Sequence, residues 1–118
     1  MAISLKLATY IFLAGGIGAN LRWVLSLLIN KFSGKIWTGT LAVNLIGCLL
    51  FFLVSRFQPN ESELNLIFKV GLLGSLTTFS TFTFEIVSLI KAGQTSEALL
   101  VLCLNILFGV IIGIGIIR

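Results

Sequence analysis

The chain of 118 residues is 58% hydrophobic and 10% charged, with a mean hydropathy of +1.14. A soluble domain carries roughly 25% charged residues, so this composition excludes an ordinary water-soluble fold and points to lipid as the solvent. The net charge of +4 does not indicate a nucleic-acid partner, because the basic residues form no patch and stand singly between apolar runs, where they suit snorkelling to a membrane surface.

The uncharged runs 7–21 and 70–84 hold 15 residues each, and the runs 36–55 and 98–117 hold 20 each. A spanning helix needs roughly 20 mainly apolar residues. The two longer runs qualify as they stand. The first reaches that length past Arg22 through "WVLSLLIN", and the third past Glu85 through "IVSLI". The expected architecture is an all-α membrane protein of one domain, 1–118, with four transmembrane helices over about 5–30, 37–57, 65–91 and 96–117. Short connections make consecutive helices antiparallel neighbours.

The N-terminus does not read as a cleavable signal, since its apolar run continues into helix one. Helix one carries "AGGIGAN", which sets Ala14 against Gly18 and Gly15 against Ala19 at small-xxx-small spacing. Such a face lets backbones approach closely, within one subunit or between two. Arg22 interrupts the helix. A charge at mid-helix costs about 2.5–3.5 kcal/mol on insertion scales, so Arg22 faces a partner, water or a vestibule, or else lies near an interface. Gly34 in "NKFSGK" marks the turn into helix two.

Helix two carries Asn44 in "GTLAVNLIG". A buried amide must find hydrogen-bond partners, either as glue between helices or in a polar path. Cys48 and Cys103 lie in apolar runs with no CxxC and no histidine in the chain, and read as small buried hydrophobes. The loop "RFQPNESE" holds Pro59, the single proline.

Helix three contains "GLLGSLTTFSTFTFE", 71–85, where hydroxyls alternate with phenylalanines. Phe79 and Phe82 are three apart and share a helix face. Gly71 and Gly74, followed by adjacent β-branched threonines, weaken a helix there, so helix three is expected to break near its middle. A break frees carbonyls near Gly74–Thr77, and inside a membrane these need a partner, for which a cation is one option. The hydroxyls of Thr78, Ser80 and Thr81 can donate to an anion, and phenylalanine ring edges are electropositive. An aromatic core stripe is the alternative, but donors, rings and a break occur together. Glu85 closes the stretch and marks an ion path or the approach to an interface.

Helix four carries Asn105, which raises the same question as Asn44, and a GxxxG at Gly109 and Gly113. The loop charges are nearly balanced. Lys6, Arg56, Lys69 and Arg118 fall on one side, and Lys31, Lys35 and Lys91 on the other. The positive-inside bias is therefore almost absent. Two oppositely inserted copies can then build an antiparallel dual-topology dimer; a single, weakly biased topology is the other reading.

The segments "GGIGANLRW" (15–23), "GTLAVNLIG" (39–47) and "GLLGSLTTFSTFTFE" (71–85) resemble, in order and spacing, the three signature segments of the Fluc fluoride channels, the CrcB family. The resemblance covers the whole chain. It implies an antiparallel dimer with two fluoride pores, each built from both subunits. It implies a structural sodium ion, not transported, held by the carbonyls of Gly74 and Thr77 from both chains. By the same resemblance Phe79 and Phe82 turn ring edges to the ion and Asn44 donates to fluoride. Ser80 and Thr81 line the pore, Arg22 stands in the vestibule, and Glu85 lies near the fluoride path. One departure concerns helix four, where members of the family carry hydroxyls along the pore and this chain has Gly109 and Gly113.

The functional expectation is a passive, fluoride-selective channel in a prokaryotic plasma membrane. It exports cytoplasmic fluoride, lowers its toxicity and catalyses no reaction. Its partners are fluoride, the bilayer, and a second copy or a related subunit. The rival is a small dual-topology multidrug cation transporter. Such transporters rely on a membrane-embedded glutamate in helix one, and 7–21 contains no acid. A purely structural scaffold gives no reason for Asn44, Phe79 and Phe82 to matter.

Overall fold

The structure, a computed structural model, describes residues 3–118. Among these residues there is no strand, and four helical spans are long and apolar enough to cross a membrane. Helix α1 covers Leu5–Ser33 and α2 covers Thr38–Phe57. The third span, Glu63–Lys91, is interrupted, giving α3 over 63–76 and α4 over Phe79–Lys91. Helix α5 covers Thr95–Ile117.

Local chemistry sets the ends. Ser4 caps α1 by accepting the Leu7 N–H, and Gly34 ends it at a positive φ of 71°. A left-handed backbone of this kind is open to glycine at no steric cost. Helix α1 runs three residues past the expected end at Asn30 because Asn30 is occupied with its neighbour. Its Oδ1 accepts the Gly39 N–H at 2.7 Å, and its Nδ2 donates to the Ile36 carbonyl at 2.9 Å. Asn30 thereby satisfies a first-turn donor of α2, whose own cap position, Trp37, makes no side-chain bond.

Glycines govern the packing. Helix α1 lies against the first half of α3. A Cβ on Gly18 would stand 2.2 Å from the Leu72 carbonyl oxygen, and one on Gly71 would stand 2.8 Å from Ala14 Cβ. Helix α2 lies against α5, where the Phe52 ring fills the place of a Cβ on Gly113. The small-residue faces of α1 and α5 thus serve packing within one chain. Two buried clusters form the core. Val43, Leu73 and Leu76 lie where α2 meets α3, and Trp37, Phe82, Leu89, Ala98 and Val101 lie where α2, α4 and α5 meet.

Polar ties mark the two ends of the bundle. At one end Glu97 Oε1 receives the Lys35 ammonium at 2.6 Å and the Trp37 indole N–H at 2.7 Å. At the other, Arg56 Nη1 donates to the Ile116 carbonyl at 2.7 Å. Between them the outer surface is apolar, with Phe12, Ile17, Phe84, Leu107, Ile111 and Ile114 all exposed. That girdle suits contact with lipid chains.

Candidate functional site

The third span breaks as expected, but by a route that propensity alone does not describe. Residues Ile67–Leu73 form a π-helix, the wider turn often found at functional positions. One further α turn, Gly74–Leu76, precedes two extended residues. Thr77 has φ −83° and ψ 154°, and Thr78 has φ −147° and ψ 122°. Thr78 then caps α4 by accepting the Thr81 N–H on its Oγ1 at 3.2 Å.

Asn44 bridges the gap. Its Oδ1 accepts the Thr78 N–H at 2.7 Å, and its Nδ2 donates to the Thr78 carbonyl at 3.1 Å and to Asn105 Oδ1 at 2.9 Å. Unpaired backbone groups in hydrocarbon cost several kcal/mol each, on the order of what forbids irregular segments there. Two of the groups exposed by the break are met in this way. The consequence falls on two carbonyls. The Thr78 N–H goes to Asn44 and not to Gly74 four residues back, and the Thr81 N–H goes to the Thr78 hydroxyl and not to Thr77. Gly47 makes room for this arrangement, since a Cβ there would meet Thr77 Cγ2 at 2.1 Å.

Two cavities share Thr78. The larger, about 510 Å³, brings together Arg22, Trp23, Thr40, Thr81 and Glu85. Glu85 is buried; its Oε1 accepts the Thr40 hydroxyl, and its Oε2 has no partner among the described residues. Arg22 is half-buried in the same cavity and makes no ion pair among the described residues. The smaller cavity, about 280 Å³, is lined by Asn44, Cys48, Thr77, Phe79, Phe82 and Asn105, with Thr78 and Ile106. Phe82 is buried, whereas Phe79 is 76% exposed, with ring centroids 5.9 Å apart and planes at 58°.

The residues singled out from the sequence therefore fall in three places. Arg22, Thr81 and Glu85 line one cavity, and Asn44, Phe79, Phe82 and Thr77 line the other. Ser80 and Gly74 line neither and are exposed on the outer face of the break. Sequence reasoning passed over Thr40 and the pairing of Asn105 with Asn44. Thr40 stands four residues before Asn44, hence on the same face of α2, and that spacing was the available signal.

Residues 9–116 match the family described as CrcB-like protein, Camphor Resistance (CrcB). The chain belongs to the CrcB family. It is similar to the fluoride-specific ion channel FluC 1 of Yersinia pestis, with 37% identity over 100 residues, 81% of this chain and 79% of that one. The fluoride-specific ion channel FluC of Serratia proteamaculans is 39% identical over the same shares. That of Escherichia coli strain HS is 38% identical over 107 residues, 87% of this chain and 84% of the relative. In this CrcB chain Gly109 and Gly113 pack under Cys48 and Phe52 respectively. This segment of α5 thus presents close-packed backbone to α2, with no hydroxyl at either position.

Proposed function

We propose that this chain is a fluoride-specific channel that lets cytoplasmic fluoride leave a prokaryotic cell passively. The carrying observation is the break at Thr77–Thr78, where a donor-lined cavity and a cavity edged by phenylalanines meet at one residue. The relatives' names, all fluoride-specific ion channels, point the same way. They also point away from an enzyme. A multidrug cation transporter is disfavoured by the absence of any acid in 7–21.

Fluoride holds its water strongly, so a narrow path must replace that water with donors. Arg22 draws the anion into the larger cavity, where Thr81 offers a hydroxyl. Phe82 and Phe79 exclude water and present positive ring edges. Ser80 and Asn44 complete the polar lining on either side of the break, and Glu85 tunes the field beside Thr40.

A second copy completes the site. Gly74, Phe79 and Ser80 lie together on an exposed face at the break. Irregular backbone at membrane depth is tolerated where protein or water covers it, and not against lipid. An antiparallel copy of this chain, allowed by the balanced loop charges, supplies that cover; a related subunit would serve the same purpose. The carbonyls of Gly74 and Thr77, which have lost their helical donors, are hard oxygen ligands suited to a sodium ion. Among the described residues no cluster of three His, Cys, Asp or Glu offers a metal site, so these carbonyls are the donors to expect. When bound, sodium would supply fixed positive charge that offsets the carbonyls of both copies.

The test is direct. Purified protein in liposomes loaded with fluoride should release it on collapse of the potential, while chloride stays inside. Retention of fluoride, or equal passage of chloride, would overturn the reading.

A further inference from the structure

We propose that Asn105 is the amide that donates to the permeating anion, while Asn44 holds the wall of the path in place; the inference rests on the channel reading above. The orientation of both amides follows from Thr78. Its backbone N–H can only donate, so the Asn44 atom 2.7 Å away is Oδ1. Asn44 Nδ2 carries two hydrogens. One goes to the Thr78 carbonyl and the other to Asn105 Oδ1, so neither is left for an anion.

The same logic orients Asn105. The atom receiving from Asn44 is an oxygen, which turns Asn105 Nδ2 toward the Val101 carbonyl, an acceptor, at 3.0 Å. That bond uses one of its two hydrogens. The second has no partner among the described residues, and Asn105 is half-buried in the cavity with Phe79 and Phe82. Of the two α5 residues lining that cavity, Asn105 and Ile106, Asn105 alone carries a donor. Accepting a bond from Asn44 polarises the Asn105 amide and strengthens its remaining N–H, as in any hydrogen-bond chain. The relay therefore runs from Asn44 through Asn105 to the ion, and it supplies on α5 a donor that Gly109 and Gly113 do not.

Full-length wild type and three variants should be compared in liposomes, with fluoride efflux per folded protein measured against internal fluoride concentration. Asn105→Leu removes the donor at similar bulk. Asn105→Asp keeps an oxygen for Asn44 Nδ2 but, ionised, has no N–H. Asn105→His restores an N–H. Leu and Asp should each lower efflux about tenfold or more, the scale of losing one hydrogen bond to a charged group. The half-saturating fluoride concentration should rise in both, while elution on size exclusion stays that of wild type. His should recover most of the flux. A smaller loss in Leu or Asp, or a His variant as slow as Leu, would overturn the proposal. So would unfolding of both Leu and Asp variants, which would leave Asn105 with the single task of holding α5 to α2. Wild type that moves no fluoride removes the channel reading itself, whereas wild-type flux with unaltered variants removes Asn105 alone.

Discussion

Asn44 grips both backbone groups of Thr78, accepting its N–H at 2.7 Å and donating to its carbonyl at 3.1 Å. One side chain on α2 thus closes the gap between two pieces of the third span. Asn44→Leu would orphan both groups, at about 1–3 kcal/mol each, and should lower the thermal unfolding midpoint in detergent as well as fluoride flux. Asn44→Asp keeps an acceptor for the Thr78 N–H but sets a second oxygen against the Thr78 carbonyl and Asn105 Oδ1. It should be destabilised and non-conducting too. Stability equal to wild type in both variants would show that the bridge contributes nothing.

The aromatic pair separates packing from conduction. Phe82 is buried against the Trp37–Leu89 cluster, so Phe82→Ile should cost only part of the roughly 3–5 kcal/mol of a Phe→Ala change. Isoleucine lacks a quadrupole, so flux in the surviving folded protein should fall below about a tenth of wild type if ring edges meet the ion. Near-normal flux would return Phe79 and Phe82 to the role of packing alone.

Two neighbouring glycines in α1 should behave oppositely. A Cβ on Gly18 would meet the Leu72 carbonyl oxygen at 2.2 Å, while one on Gly16 meets nothing within 4 Å. Gly18→Ala should destabilise by about 1–3 kcal/mol, the usual cost of overpacking. Gly16→Ala should leave the unfolding midpoint of the isolated chain unchanged. Equal effects would mean that α1 and α3 do not meet backbone to backbone.

Insertion in both orientations should be visible by labelling. In a background with Cys48 and Cys103 replaced, a single cysteine near Gly34 should react with an outside-restricted reagent in roughly half the copies, as balanced loop charge implies. Labelling of all copies, or of none, would refute dual topology.

Sodium dependence tests the carbonyls at the break. If Gly74 and Thr77 hold a structural ion, rigorously sodium-free buffer should lower fluoride flux and the oligomer's thermal midpoint, and returned sodium should restore both. Unchanged flux would refute the structural role.

Much of this was legible in the sequence, because charge spacing alone marks spans in a chain with so few charges. The four segments, the weak point before Thr77 and Thr78, and the family all followed from residues on the page. The exact ends did not, since Asn30 serves the next helix while its own continues to Ser33. Nor did the partners of the buried polar groups. A helix in lipid is apolar on every side, so hydrophobic periodicity does not reveal its rotation. The pairing of Asn44 with Asn105, 61 residues apart, and of Thr40 with Glu85, 45 apart, depends on that rotation. The π-helix at Ile67–Leu73 left no mark in composition.

The extended pair Thr77–Thr78 also makes the third span a jointed rod. Each half takes its angular setting from a different neighbour: the part before the joint from the glycine contacts with α1, the part after it from Asn44 and the cluster around Trp37. A one-residue deletion in a continuous helix would turn everything beyond it by about 100°. Here such a phase error ends at the joint. The segment 67–73 can gain or lose a residue, and the angle at which Phe82 and Glu85 stand is still dictated from α2.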